Sequence, residues 1–76
     1  MKKTADEMLE DLGYYNKQNY LEHLDYYNEK LEKIISFRNN ETFACLNFYD
    51  SYEEITILEL QAINKKCQEL GWLNWK

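Results

Sequence analysis

The stretch Lys33-Ile-Ile-Ser-Phe-Arg-Asn-Asn-Glu-Thr-Phe-Ala-Cys-Leu-Asn-Phe-Tyr49 decides the fold. Its two β-branched and aromatic runs, 33–38 and 42–49, are parted by Asn39-Asn40. Asparagine tolerates the positive φ of a tight turn, so the pair reads as a β-hairpin. With Asn39 and Asn40 as the two loop residues, Arg38 opposes Glu41, and Ile35, Phe37, Ala44, Leu46 and Phe48 share the core face. The other face then carries Ile34, Ser36, Phe43, Cys45 and Asn47, a mixed surface.

Toward the N-terminus, residues 20–32 admit two readings. Tyr20, Leu24, Tyr27, Leu31 and Ile34 recur at helical spacing. The alternation of Tyr, Leu and His over 20–27 and the break at Asn28 favour a third strand, which an otherwise marginal hairpin needs. Helix grammar flanks this region on both sides. Thr4 with Glu7 forms a capping box, Ala5, Met8, Leu9 and Leu12 make one stripe, and Gly13 supplies the left-handed stop. The same grammar returns as Thr56 with Glu59, an Ile55–Leu60 staple and Gly71. Leu60, Ile63, Cys67 and Leu70 form the stripe predicted to cover the sheet, with Leu58 on the opposite side and Trp72 packing back on Cys67. The expected fold class is α+β, in the order α-β-β-β-α: a three-stranded antiparallel meander packed by the C-terminal helix. The alternative is a mostly helical chain with one β-hairpin.

Seventy-six residues make one domain, 1–76, too thin for a deep cleft beside a separate core. Nine basic against fourteen acidic residues leave a net charge of −5, which argues against direct nucleic-acid binding and favours a partner with a basic surface. The lysine-bearing start runs into acids rather than an apolar run, so retention in the cytoplasm is expected, and no stretch is apolar enough to span a membrane. Cys45 and Cys67, each in an apolar pattern, read as reduced buried thiols.

Catalysis finds little purchase. The sole histidine, His23, lies between acids on the ambiguous segment, with no second positioned group in view. A metal would have to join His23, Cys45 and Cys67, which lack ligand spacing. Both glycines serve as helix stops, so no phosphate loop is available, and neither a metal nor a cofactor is expected. The acidic groups Asp6, Glu7, Glu10 and Asp11, and Asp50, Glu53 and Glu54, read as solvated faces with favourable charge at helix starts. Their charge density falls short of duplex DNA, which weakens a nucleic-acid mimic as an alternative.

Aromatics are the unusual signal, with seven Tyr, two Trp and three Phe in so short a chain. Tyr and Trp bury large area at low entropy cost and keep a polar tip, which suits interfaces. Tyr26, Tyr27, Tyr49, Tyr52, Glu53 and Leu58 are the expected partner-binding residues, and Trp75 is either tail packing or a partner contact.

Thr4-Ala-Asp-Glu-Met-Leu-Glu-Asp-Leu-Gly-Tyr14 and Ile55-Thr-Ile-Leu-Glu-Leu-Gln-Ala-Ile-Asn-Lys-Lys-Cys-Gln-Glu-Leu-Gly-Trp72 resemble the two ends of small, largely uncharacterised phage and prophage proteins of Gram-positive bacteria. The resemblance implies a phage-borne accessory protein in a bacterial host cytoplasm and carries over no catalytic residues. Leu58 stands where such proteins are expected to have a polar residue. The function expected is non-enzymatic: binding and inhibition of a host protein, such as an anti-phage defence factor. Sequestration of a nucleotide-like signalling molecule between protomers of a homo-oligomer is the alternative from a different class, and a structural or transcription-linked phage role is a third.

Overall fold

Two capping boxes start the two helices, and two identical stops end them. In the structure, a computed structural model that describes residues 2–19 and 23–73, Thr4 Oγ1 accepts from Glu7 N while Glu7 Oε1 accepts from Thr4 N, opening α1 (Ala5–Asp11). Thr56 and Glu59 repeat the exchange at α2 (Ile57–Glu69). Tyr14 N donates to Leu9 O and Gly13 N to Glu10 O; Trp72 N donates to Cys67 O and Gly71 N to Gln68 O. Both are Schellman closures, with glycine at φ +97° and +79°. Gly13 has a second constraint: a Cβ there would lie 3.0 Å from Asn28 Nδ2.

Between the helices run β1 (Tyr15–Asn19), β2 (His23–Asn28), β3 (Lys33–Arg38) and β4 (Thr42–Asn47), an antiparallel sheet in the order β1-β2-β3-β4. The chain is therefore α+β, with helices at both ends of a meander as the sequence indicates, and the meander has four strands rather than three. The strand read over 20–27 is β2; Tyr20 and its two successors lie outside the described residues, as does Trp75. The helical alternative for 20–32 gives way to β2 and a turn over 29–32, where Asn28 Oδ1 accepts from Leu31 N and Glu32 adopts φ 56°. The additional strand, Tyr-Asn-Lys-Gln-Asn, has no apolar alternation and forms through backbone pairing with β2, with a bulge between Asn16 and Gln18.

The hairpin register differs by one residue from the sequence reading. Arg38 pairs with Thr42, and Asn39, Asn40 and Glu41 form a three-residue loop in which Glu41 N donates to Arg38 O and Glu41 takes φ 62°. A shift of one residue turns every β4 side chain over. Phe43 and Cys45 thus join Ile35 and Phe37 on the core side, while Ala44 and Leu46 move to the opposite face with Ile34 and Ser36.

The core lies between this face and the helices: Ala5 and Leu9 of α1, Tyr14, Tyr26, Ile35, Phe37, Cys45, and Ala62 and Ile63 of α2. Tyr26 meets Phe37 edge-on at 5.9 Å, and Trp72 closes on Phe37 at 6.3 Å. The buried face of α2 is Glu59, Ala62, Ile63 and Lys66, rotated by roughly 70°, at 100° per residue, from the apolar stripe of the sequence. Leu60 is correspondingly 47% exposed.

The rotation follows from two charges that find partners. Glu59, 2% exposed, accepts from Tyr14 Oη at 2.6 Å and from Lys33 Nζ at 2.9 and 3.0 Å, and also caps its own helix through Thr56 N. Lys33 Nζ donates in addition to Glu54 O at 2.8 Å. Lys66 Nζ lies 3.0 Å from Asp6 Oδ1 and 5.5 Å from the Tyr26 ring centroid, while Tyr26 Oη donates to the same Asp6 oxygen at 2.7 Å. Burial alone raises the Glu59 carboxyl, yet hydrogen bonds from Tyr14, Lys33 and Thr56 outweigh it and hold the group below its ordinary value of 4.5.

A carboxyl held lower in the folded than in the unfolded chain stabilises fully above the unfolded value, and that stabilisation is lost as pH falls through the folded value. Replacing Glu59 by alanine, which strands Lys33 in the core, is expected to cost about 3–5 kcal/mol. Denaturant unfolding at neutral pH measures this loss. In the same assay carried from pH 7 downward, Glu59→Gln is expected to flatten the acid-side fall of stability seen in the parent.

Candidate interaction surface

Asn47, the last residue of β4, organises the connection to α2. Its Oδ1 accepts from Tyr49 N at 2.7 Å and Ser51 N at 3.0 Å, its backbone N–H donates to Ser51 O at 2.7 Å, and its Nδ2 donates to Glu53 Oε2 at 3.2 Å. An asparagine side chain capping its own turn is ordinary Asx chemistry, and Asp50 completes the reversal at φ 64°. The chain then returns along the outer edge of β4, where Tyr52 bridges Leu46 and Glu53 N donates to Cys45 O at 2.9 Å. The Lys33 ammonium holds Glu54 O just before the α2 cap.

A connection so tied presents its remaining side chains outward. Tyr49 is 82% exposed, Tyr52 84%, Ile57 70% and Leu58 60%. These are the four most exposed large apolar side chains of the described residues, all within ten consecutive positions. Asp50, Glu53 and Glu54 lie among them and are exposed too. Exposed apolar and acidic side chains thus alternate along the connection and into the start of α2.

The second feature is the sheet face turned away from the helices. Three rows cross it. Tyr15, Tyr27, Ile34 and Leu46 pair in succession, and the Leu46–Tyr52 bridge continues the row to the connection. Tyr27 lies 6.5 Å from the Tyr15 ring and 6.1 Å from Phe48, with Lys17 Nζ 4.8 Å from its centroid. The middle row holds Asp25, Ser36 and Ala44, and the end row His23, Arg38 and Thr42. Arg38 Nε donates to Ser36 Oγ at 3.1 Å, Ser36 Oγ donates to Asp25 Oδ1 at 2.7 Å, and His23 Nδ1 faces the same oxygen at 3.0 Å. The serine proton goes to the carboxylate and not to the imidazole, so the relay orients side chains instead of pairing a nucleophile with a base. Between the 39–41 turn and the 48–51 turn, this face forms an open concavity of about 580 Å³.

Of the expected partner-binding residues, Tyr49, Tyr52 and Glu53 are exposed on the connection and Leu58 on the first turn of α2. Tyr27 is half-buried in the open-face row. Tyr26 belongs to the core and is corrected: it is 3% exposed, and burial and the Asp6 hydrogen bond push its phenol above its ordinary pKa. Adjacent strand residues face opposite sides, so Tyr26-Tyr27 could contribute only one ring to any surface. Ile57 escaped the sequence reading, although it begins a helix whose stripe starts three residues later. The polar relay escaped it too, because Asp25, Ser36 and Arg38 become neighbours only through strand register. Cys45 is free and buried on the helix side, across the sheet from His23. Its thiol is raised by burial.

Comparison with protein-family models, with curated proteins and with solved structures gives no match to this chain.

Limited nitration is expected to modify Tyr49 and Tyr52 well before Tyr14 and Tyr26, with peptide mass mapping as the readout. Early modification of Tyr26 would contradict its place between α1, α2 and the sheet.

Proposed function

We propose that this chain is a non-enzymatic, phage-borne accessory protein that binds and inhibits a protein of its bacterial host through the 49–58 surface. One observation carries the reading: Tyr49, Tyr52, Ile57 and Leu58 are each 60% exposed or more on a hydrogen-bonded scaffold, interleaved with Asp50, Glu53 and Glu54. Side chains of this type, presented on a preordered backbone, bind with little ordering cost. The acidic interleaving favours a partner whose functional surface is basic, because opposite potentials steer encounter and fix orientation. The phage setting comes from the resemblance of the two helical ends, and Leu58, set where a polar residue is expected there, adds apolar area to the same surface.

The experiment is capture of the partner from host lysate on the tagged protein, followed by measured affinity for the purified partner. Tyr49→Ala with Tyr52→Ala is expected to weaken binding by about 2–4 kcal/mol with the melting temperature unchanged. Neutralising Asp50, Glu53 and Glu54 to the amides is expected to slow association and flatten its salt dependence. Undiminished binding by the double tyrosine variant would show that the partner surface lies elsewhere.

A further inference from the structure

We infer that the open sheet face is a binding site for a mononucleotide, adjoining the 49–58 protein surface and sharing Asp50 with it. The argument starts from an arrangement that stability alone does not call for. Ser36 is 3% exposed and Asp25 9%, although among the described residues no helix covers this face. Their hydrogen bonds lead to Arg38, whose Nε is held by Ser36 Oγ while both Nη donors of the guanidinium fork stay outside the relay. An arginine fixed through Nε presents a preoriented pair of donors, the geometry that carboxylates and phosphates accept from.

The rest of the concavity grades in chemistry along the strands. At the Arg38 end the side chains of Asn39 and Asn40 line the wall. In the middle stand the Asp25 carboxylate and Ser36 hydroxyl. At the far end are Tyr27, Ile34 and Leu46, with Asp50 beside them. Phosphate at the guanidinium, sugar hydroxyls donating to Asp25, and a planar base against the apolar end satisfy the three zones in order. An exocyclic amine of the base finds its acceptor in Asp50. The Tyr27 and Arg38 rows are four residues apart, about 13 Å at 3.3 Å per residue, matching phosphate, sugar and base laid end to end. The volume of about 580 Å³ falls in the range of small-ligand sites. A peptide would need unpaired strand backbone, which this face does not present, and a simple anion would leave the apolar end empty.

Isothermal titration of the full chain with AMP, GMP, CMP and UMP, and in parallel with adenosine and inorganic phosphate, tests the site. At least one nucleotide is expected to bind more tightly than its parts. Arg38→Ala is expected to weaken that binding about tenfold or more, the loss of charge-assisted hydrogen bonds. Asp25→Asn is expected to narrow any preference for the ribo- over the deoxyribonucleotide. Arg38 is exposed, so its replacement is expected to leave the melting temperature unchanged, and Tyr49→Ala with Tyr52→Ala is expected to bind nucleotide like the parent, which keeps this site distinguishable from the protein surface. No binding by any nucleotide, phosphate alone binding as tightly as a nucleotide, or affinity unaltered in Arg38→Ala would each overturn the inference.

Discussion

The carboxylate of Glu59 is the point on which the structure turns. It belongs to the first turn of α2, closes that helix's capping box, accepts from the phenol that follows α1, and neutralises the lysine that opens β3. Three separate parts of the chain therefore meet at two oxygen atoms. A buried charge left without partners is costly, so the bonds to Glu59 must form together or not at all. This coupling fixes the rotation of α2 over the sheet and holds Glu54 at the end of the connection through Lys33. A second pair, Lys66 with Asp6, repeats the device one end further along α2 and ties α1 to it under the Tyr26 ring. In so thin a core, these polar contacts supply the specificity that a thicker apolar layer would supply in a larger domain.

Local rules were legible in the sequence wherever the determinant was local. Thr-x-x-Glu and Leu-Gly-aromatic specify helix ends through bonds spanning five residues or fewer, and both copies form as read. Hairpin and helix order follow from the same kind of signal. What escaped the sequence depended on a partner distant in the chain. The β3–β4 loop takes a third residue because Glu41 adopts the left-handed conformation, and that single residue decided which side of β4 faces the core. The inward face of α2 contains Glu59 and Lys66, which hydropathy places outside; only Lys33, Tyr14, Asp6 and Tyr26 make their burial favourable. β1 is a strand because β2 offers it hydrogen bonds, and its own composition says nothing of this.

The surfaces divide in the same way. Tyr49, Tyr52, Glu53 and Leu58 could be found by composition, since an excess of aromatic and aliphatic side chains beside acids is visible in a linear chain. The relay from Arg38 through Ser36 to Asp25 could not, because its members come from two strands and share a face only in the observed register. Both helices pack on one side of the sheet, so the other side carries whatever the register delivers. Here that is a graded surface, apolar at one end and hydrogen-bonding at the other, bounded by two turns.

The outermost strands carry a further consequence. β1 is rich in Asn, Lys and Gln and interrupted by a bulge, and the outer side of β4 is taken over half its length by the returning chain at Tyr52 and Glu53. Unprotected sheet margins recruit other chains and seed fibres; bulged, lysine-bearing or covered ones resist it. The stretch of β4 left bare, Thr42 to Ala44, is too short to template another strand. A sheet with one margin bulged and lysine-bearing and the other largely covered can therefore accumulate in concentrated solution without recruiting further copies of itself.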